Sequence, residues 1–256
     1  MYSNFKMLLE QIMNDSSLEQ NYQELISQNP ELVIHFLIQI IQESPDSKLS
    51  QFSIILFGRN ISVFSQDFLS IGTKEFHDFV IKNVFSLLNN PAFSPFSLSL
   101  ISDLISRLIL VYSYAEDFDP KIFFIPIMEI IASQNINNSS AAINALVYSI
   151  CNKSINYQPF SEQTSDFLHV ALTNNQINGE IILPSLRLLY LTFDSVSFDF
   201  REYLPAIFDK LKNDNDLLNQ SVHDIITYLP SEKYTFFSNI SNYFILFFLS
   251  ILGSPN

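Results

Sequence analysis

Few residues of this chain have the types and the spacing that metal binding or nucleophilic catalysis requires. The histidines are far apart, and none has the HExxH or Cys/His spacing of a zinc site; they are His35, His77, His169 and His223. The single cysteine, Cys151, lies in the apolar run AINALVYSICNKS without the motif of a nucleophile. We therefore expect no metal site, and we expect Cys151 to be a small, buried side chain.

The other candidates for chemistry are clustered carboxylates and phosphate-binding loops. Glu116, Asp117 and Asp119 precede Pro120, where a polar loop between two helices is the ordinary explanation. The chain has only 4 glycines, and it contains neither glycine-rich phosphate loop (GxxxxGKS/T or GxGxxG) nor a GxSxG turn. The sequence therefore indicates a protein that is not an enzyme and needs no cofactor.

The charge balance favours protein partners. Acidic residues outnumber basic residues 26 to 13, and the net charge is −13. Nucleic-acid binding is disfavoured, because Lys and Arg must displace the counterions of the phosphates. A basic protein suits such a chain better.

Membrane attachment has one candidate, the C-terminal stretch TFFSNISNYFILFFLSILGSPN. Its fully apolar core, residues 243–249, is short, and Ser and Asn residues interrupt the ~20 residues that a span requires. We expect a last helix whose apolar face a neighbour covers; a tail anchor is the alternative. The N-terminus, MYSNFKMLLEQIMNDSS, does not have the unbroken apolar run of a signal peptide, which favours a cytosolic or nuclear protein.

The elements that must position any site are helices in pairs. Apolar residues recur with a period of about 3.6, and breaks such as NP, ESPDS and NNPAFSP separate the segments. The predicted first helices of the pairs lie near residues 2–14, 48–62, 97–114, 139–153, 181–194 and 217–229. The predicted second helices lie near residues 30–43, 73–89, 120–133, 161–173, 201–212 and 235–252.

The second helices begin about 34 to 47 residues apart, which is the spacing of HEAT or armadillo-type hairpins. We therefore predict an all-α fold, a right-handed α-solenoid of about six such hairpins. In a solenoid, each first helix contacts its own partner and both neighbouring repeats. This explains why the segment LSQFSIILFGRNIS, residues 49–62, is apolar almost all round.

Polar stripes at i, i+4 spacing run along the second helices. Residues four apart share one helical face, so the stripes would line one side of the solenoid. They are either a concave groove that binds a partner or ordinary solvated faces. The stripes are Glu31, His35, Gln39 and Glu43; Lys74, Asp78 and Lys82; and Ser165, His169 and Thr173.

The first sixty residues carry a further pattern. An amphipathic helix and a few polar residues precede a helix that leads to a polar or Pro-containing turn. An apolar helix, a small polar turn (ESPDS) and a helix with a basic end follow. This stretch resembles the N-terminal domain of the importin-β superfamily of nuclear transport receptors, and the later segment FREYLPAIFDKLKNDNDLLNQSVHDIITYLP, residues 200–230, looks like early repeats of the importin-β3 type. The matching residues are Phe36, Leu37, Gln39, Ile40, Gln51, Phe52, Ser53, Ile55, Leu56, Phe57, Arg59 and Ile61.

The resemblance implies an import karyopherin without catalytic activity. Such a receptor binds Ran-GTP on the concave faces of its first repeats, and it carries protein cargo, here expected to be basic, on its inner surface. It also binds phenylalanine-glycine nucleoporins in slots between the outer first helices. The implied locations are the cytoplasm, the nucleus and the nuclear pore in the envelope, and Arg59 would belong to the basic helix end.

The same resemblance suggests a domain organisation. Residues 1–62 would form the importin-β N-terminal-like domain, and residues 63–256 would form further repeats that continue, or are covered, beyond the C-terminus. Ser50 and Gly58 depart from basic positions of the pattern, and Tyr22 is the nearest equivalent of the aromatic anchor in its first loop. Two alternatives stay open: an export receptor, and a HEAT or armadillo scaffold without a transport role.

Overall fold

The structure, a computed structural model, describes residues 1–133, 135–151, 160–173 and 179–192, and it describes residues 216, 220 and 223 as single positions. These residues form helices, turns and loops without any strand, which confirms the predicted all-α class. The helices predicted near residues 201–212, 217–229 and 235–252 lie outside the described segments, except for residues 220 and 223. The apolar C-terminal stretch lies outside them too.

The described segments contain ten α-helices in two compact units. The first unit, Met1–Ile155, holds α1 to α8, and the second unit, Asn156–Asn256, holds α9 and α10. Short 3₁₀ turns, Ser16–Leu18 and Ser65–Ser70, follow α1 and α4. The helices are α1 (Tyr2–Asn14), α2 (Glu19–Gln28), α3 (Pro30–Glu43), α4 (Lys48–Phe64), α5 (Lys74–Leu88), α6 (Pro95–Tyr112), α7 (Lys121–Ile131), α8 (Ile136–Cys151), α9 (Ser161–Thr173) and α10 (Gly179–Thr192).

Hydrophobic periodicity predicts all of these helices except α2, with each end within three residues of the observed one. Helix α2 is missing from the predicted pairs because it is largely polar and buries only Tyr22 and Ile26. Two apolar residues four apart are too few to establish a helical period. The importin-like pattern, in contrast, does include a helix at this place.

The first unit has two layers of helices. In one layer, α4 packs against α6 and α6 packs against α8. In the other, α3 contacts α5 and α5 contacts α7, while α3, α5 and α7 each pack against the helix that follows them in the chain. The core lies between the layers, where α3 alone buries six aliphatic side chains: Val33, Ile34, Leu37, Ile38, Ile40 and Ile41.

Helix α6 lies at the centre of its layer. Ser102 Oγ donates a hydrogen bond to the backbone oxygen of Ala141 on α8 at 2.7 Å. Within the described residues, α6 is the one helix whose length and mean hydropathy of 1.4 would suffice for a membrane span, but 61% of it is buried inside the fold. In this unit it is a core helix between α4 and α8.

In the second unit, α9 and α10 pack against each other. Leu168 and Ala171 on α9 and Leu186 and Leu189 on α10 are buried. Ser165 is buried as well, whereas His169 is exposed. The polar stripe predicted on α9 is therefore wrong at Ser165, because that position faces into the unit.

Candidate protein-binding surface

The polar stripes predicted on α3 and α5 lie on neighbouring helices. The imidazole of His35 stacks on the ring of Phe79, with ring centroids 4.0 Å apart. Gln42 Nε2 donates a hydrogen bond to Asn83 Oδ1 at 2.9 Å, and this bond links the same two helices. The structure thus places the stripes on two helices that contact each other; we name the stripe residues together the α3–α5 surface, and they are Glu31, His35, Gln39, Lys74, Asp78 and Lys82.

The charged residues of the α3–α5 surface are exposed, and His35 is half-buried. The surface carries two carboxylates, those of Glu31 and Asp78, and two ammonium groups, those of Lys74 and Lys82. No ion pair joins them to one another among the described residues. This mixed, exposed charge is able to recognise a charged partner by complementarity rather than by apolar burial.

Glu43 differs from the rest of its predicted stripe, because its carboxylate is bonded to α1. Tyr2 Oη donates to Glu43 Oε2 at 2.7 Å, Gln39 Nε2 donates to Oε1 at 3.0 Å, and Lys6 Nζ lies 3.4 Å from Oε2. The hydrogen bond from Tyr2 is the main cause that lowers the pKa of Glu43 below its usual value. In this fold Glu43 attaches α1 to α3.

The importin-like motif residues mostly serve packing. Leu37 and Leu56 are buried, and Phe36 contacts the rings of Tyr2 and Phe5, each at a centroid distance of 5.4 Å. Gln51 Nε2 donates to Ser97 Oγ at 3.3 Å and so connects the start of α4 with the start of α6.

Arg59 is not at a helix end, which corrects the prediction. Helix α4 continues to Phe64, and no basic residue lies in its last turn. The guanidinium instead forms an ion pair with Glu19, at the start of α2. Because both side chains are well exposed, this pair contributes at most about 1 kcal/mol to stability.

Sequence reasoning missed a buried polar pair beside Arg59. Asn60 Nδ2 donates a hydrogen bond to Tyr22 Oη at 2.5 Å, and both side chains are buried. Burial raises the pKa of Tyr22 to about 12, although the bond to Asn60 opposes the shift. An Asn inside the apolar run of α4 was the available signal, since a buried amide requires a partner. Tyr22 therefore does anchor this region, from α2 rather than from a loop.

Two open grooves flank Arg59. The first, of about 340 Å³, lies between α1, α2 and α4 and is lined in part by Ile12, Met13 and Phe52. The second, of about 320 Å³, lies between α4 and α6. Hydrophobic periodicity did not reveal either groove, because a groove depends on which helices become neighbours.

The residues singled out for chemistry do not form a site. Among the described residues, no cluster of three or more His, Cys, Asp or Glu side chains is arranged to hold a metal ion. Glu116, Asp117 and Asp119 lie exposed in the connection between α6 and α7, as a polar loop requires. Cys151 is exposed at the end of α8, so the prediction of a buried thiol is wrong.

Comparison with known proteins adds no assignment: no model of a protein family and no curated protein matches this chain.

Proposed function

We propose that this chain is a right-handed α-solenoid of HEAT-like hairpins and that it acts as the N-terminal arch of an import receptor of the importin-β type. One observation carries the proposal, the order of the first four helices. A short amphipathic helix is followed by a polar helix that ends before Pro30, an apolar helix, a four-residue turn, and the helix that carries Arg59. This order agrees with the family pattern, including α2, for which hydrophobic spacing gave no signal.

The two helical layers of the first unit support the solenoid part of the proposal. The predicted first helices α4, α6 and α8 form one layer and the predicted second helices α3, α5 and α7 form the other, so each repeat contributes one helix to each layer. Repetition of one hairpin in this manner is what a quasi-one-dimensional stack requires.

The α3–α5 surface is the proposed contact for Ran-GTP. It belongs to the second helices of the first hairpins, which form the concave side in this family. Its exposed charges of both signs suit a polar, specific contact. Such a contact mainly accelerates association with the partner and fixes the register in which the partner binds. Basic cargo and phenylalanine-glycine nucleoporins would bind elsewhere on the same solenoid, and the protein would be found in cytoplasm, nucleus and nuclear pores.

The decisive experiment is calorimetry of the purified chain with Ran loaded with a non-hydrolysable GTP analogue or with GDP. We expect at least tenfold tighter binding of the GTP form, or about 1.4 kcal/mol. The double variant Asp78→Lys/Lys82→Glu should remove this preference without loss of helical circular dichroism. Glu10→Lys, at an exposed position of α1, is the matched control and should bind like the wild type.

A scaffold without a transport role is the second candidate. It is favoured by the absence of a family match and by Ser50 and Gly58, which replace basic residues of the pattern. A folded chain that binds neither form of Ran, or both equally, would support the scaffold and refute the receptor. Fluorescence microscopy of the tagged protein gives a second readout, since only the receptor predicts a nuclear rim.

A further inference from the structure

The segment that connects α4 with α5, residues 65–73, is anchored in the fold by Phe68. It contains the 3₁₀ turn Ser65–Ser70, which contacts α4 and α6. The ring of Phe68 is fully buried, whereas Asp67 and Ser70 are exposed. We name residues 65–73 the α4–α5 connection. A segment anchored in this way can open locally while the helices beside it stay folded.

His77, in the first half of α5, packs directly against this anchor. The edge of one ring meets the face of the other, with the centroids of His77 and Phe68 5.8 Å apart. On its other side, the imidazole packs in the same way against Tyr112 of α6, and its Nδ1 lies 2.6 Å from Tyr112 Oη. The imidazole therefore joins the α4–α5 connection to α5 and α6.

The surroundings of His77 favour the neutral imidazole. Its Nε2 is buried and makes no hydrogen bond of good geometry. Burial lowers the pKa of His77, because the imidazolium loses its hydration among aromatic rings. A proton taken up here would add a charge and a second N–H donor to a site that solvates neither.

The groups that face the imidazole from each neighbouring element do not reverse this preference. Asp78 on α5 and Glu31 on α3 carry negative charge and favour the imidazolium. The α4–α5 connection presents the backbone of Leu69 and Ile71, which acts in the same direction. On α6, burial raises the pKa of Tyr112, so its phenol stays neutral. Burial of His77 outweighs these contributions.

Gly72 lets the α4–α5 connection close onto α3. Its φ is 78°, and a Cβ at this position would lie 2.6 Å from Glu31 Oε1 and 2.7 Å from Cδ1 of Phe76. The closed connection thus packs its backbone against a residue of the α3–α5 surface. If the connection opened, the surroundings of Glu31 would change.

We propose that the α4–α5 connection is a pH-sensitive switch: protonation of His77 releases the ring of Phe68 and opens residues 65–73, while the flanking helices stay folded. Water reaches the imidazolium only after this ring has moved away. In the open state His77 has its ordinary affinity for a proton, so opening is favoured as the pH falls below about 6.5. The inference does not rest on the proposed function, because it requires no partner.

Native-state hydrogen exchange of the full chain, measured by mass spectrometry, tests the inference. Labelling at pH 7.5, 6.5 and 5.5 is corrected for intrinsic exchange rates and repeated in low concentrations of urea. We expect the opening equilibrium constant of residues 65–73 to rise by up to about tenfold from pH 7.5 to 5.5. It should be nearly independent of urea, because local opening exposes little surface, whereas exchange in α3 should depend steeply on urea.

Variants assign the pH dependence to His77. His77→Gln keeps a polar side chain beside Tyr112 but takes up no proton, so the rise should disappear. His35→Gln makes the same change on α3, and Tyr112→Phe leaves the imidazole able to ionise, so both should keep the rise. If His77→Gln lowers the helical circular dichroism, proton NMR of the wild type replaces it. One of the 4 imidazoles should then titrate below the ordinary pKa of His.

Three outcomes would overturn the inference. One is an opening equilibrium constant of residues 65–73 that does not change with pH. Another is the same urea dependence for residues 65–73 and α3, because the connection would then open only when the whole unit unfolds. The third is an undiminished rise in His77→Gln or, in the NMR titration, four imidazoles with ordinary pKa values. Ran binding by the same preparations is measured separately, so failure of one proposal does not hide failure of the other.

Discussion

At the scale of single residues, Asp46 connects two successive hairpins through one carboxylate. It lies between α3 and α4 with a positive φ of 62°. Its carboxylate accepts hydrogen bonds from Ser94 N at 2.6 Å and from Ser94 Oγ at 2.7 Å, at the N-cap of α6. Burial opposes ionisation, but hydrogen bonds from Ser97 and Ser94 outweigh it and lower the pKa of Asp46.

Asp46→Asn should lower the free energy of unfolding at pH 7 by about 1–2 kcal/mol, since charged hydrogen bonds are lost. Asn also tolerates positive φ, so the change isolates the charge. Because the carboxyl pKa is lower in the folded chain, the ionised carboxylate stabilises the fold at pH values above the ordinary pKa of Asp. The difference in unfolding free energy between wild type and variant should therefore shrink as the pH falls through the lowered pKa. Urea titration measures it, and the exposed control Glu129→Gln should change stability by less than about 0.5 kcal/mol.

His77 is a second residue whose environment sets its protonation. Its Nδ1 lies 2.6 Å from Tyr112 Oη, within an aromatic cluster that includes Phe68 and Phe76. Burial lowers the pKa of His77 below its ordinary value of 6.5, and hydrogen bonding to the backbone of Leu69 and Ile71, with smaller effects of the charges of Asp78 and Glu31, opposes the shift only in part. The folded chain therefore prefers the neutral imidazole.

The unfolded chain binds a proton at residue 77 more readily than the folded chain, so stability should fall as pH drops below about 6.5. His77→Gln should remove part of this dependence, by less than about 1.4 kcal/mol for each pH unit. Urea midpoints from pH 7.5 to 5.5 give the slopes. His35→Gln is the control; a slope that changes equally in both variants would contradict the role of His77.

Side-chain partners were the least predictable feature at this scale. Spacing along one helix predicts that Glu31 and His35 share a face, but it cannot show that Arg59 meets Glu19 or that Asn60 meets Tyr22. Each of those pairs joins α4 to α2, and their formation depends on the angle and height at which the two helices pack. The polar residues of the candidate surface could be predicted from the sequence, whereas the grooves could not.

At the scale of elements, helix prediction succeeds where one face carries many apolar residues. Both ends of α3 agree with the prediction, because Pro30 starts it and six aliphatic residues define its buried face. Helix α4 extends past its predicted end at residue 62, since the aliphatic and aromatic residues after Arg59 continue the helix to Phe64. Helix α2 has too few apolar residues for the same method.

Substitution of Gly58 and substitution of Gly72 should change the free energy of unfolding in opposite directions. Gly58→Ala should raise the free energy of unfolding by about 0.5–1 kcal/mol, because Ala favours the helix and its Cβ meets Arg107 only at ordinary contact distance. Gly72→Ala should lower it by more than about 1 kcal/mol, because φ is 78° and a Cβ would lie 2.6 Å from Glu31 Oε1.

Thermal and urea unfolding of both glycine variants would measure the difference. Losses of similar size in the two variants would mean that the packing around α4 is tighter than the structure indicates.

At the scale of the whole molecule, the chain carries more negative charge than its ion pairs neutralise. In the described residues of the first unit, three ion pairs are present, and the side chains in them are between 35% and 50% exposed. Pairs this exposed contribute little, whereas a net charge of −13 favours expansion of the chain. Composition alone was sufficient to predict this balance, but it did not predict the division into two units.

Salt should therefore stabilise the chain. An increase of sodium chloride from about 20 to 200 mM shortens the Debye length from roughly 20 Å to below 10 Å, so repulsion is screened and the urea midpoint should rise. Sodium acetate at equal ionic strength should act alike if screening is the cause. A midpoint that falls with salt would mean that the surface ion pairs outweigh the repulsion.

The position of α6 between α4 and α8 has a consequence for biosynthesis. One side of α6 is covered by α4, which has already been made, but the other side is covered by α8, which ends about forty residues later in the chain. At synthesis rates of about 5–20 residues per second, this delay lasts roughly 2–8 s. During those seconds the nascent chain exposes the α8-facing side of an 18-residue apolar helix, and a chaperone at the ribosome has that interval in which to bind it.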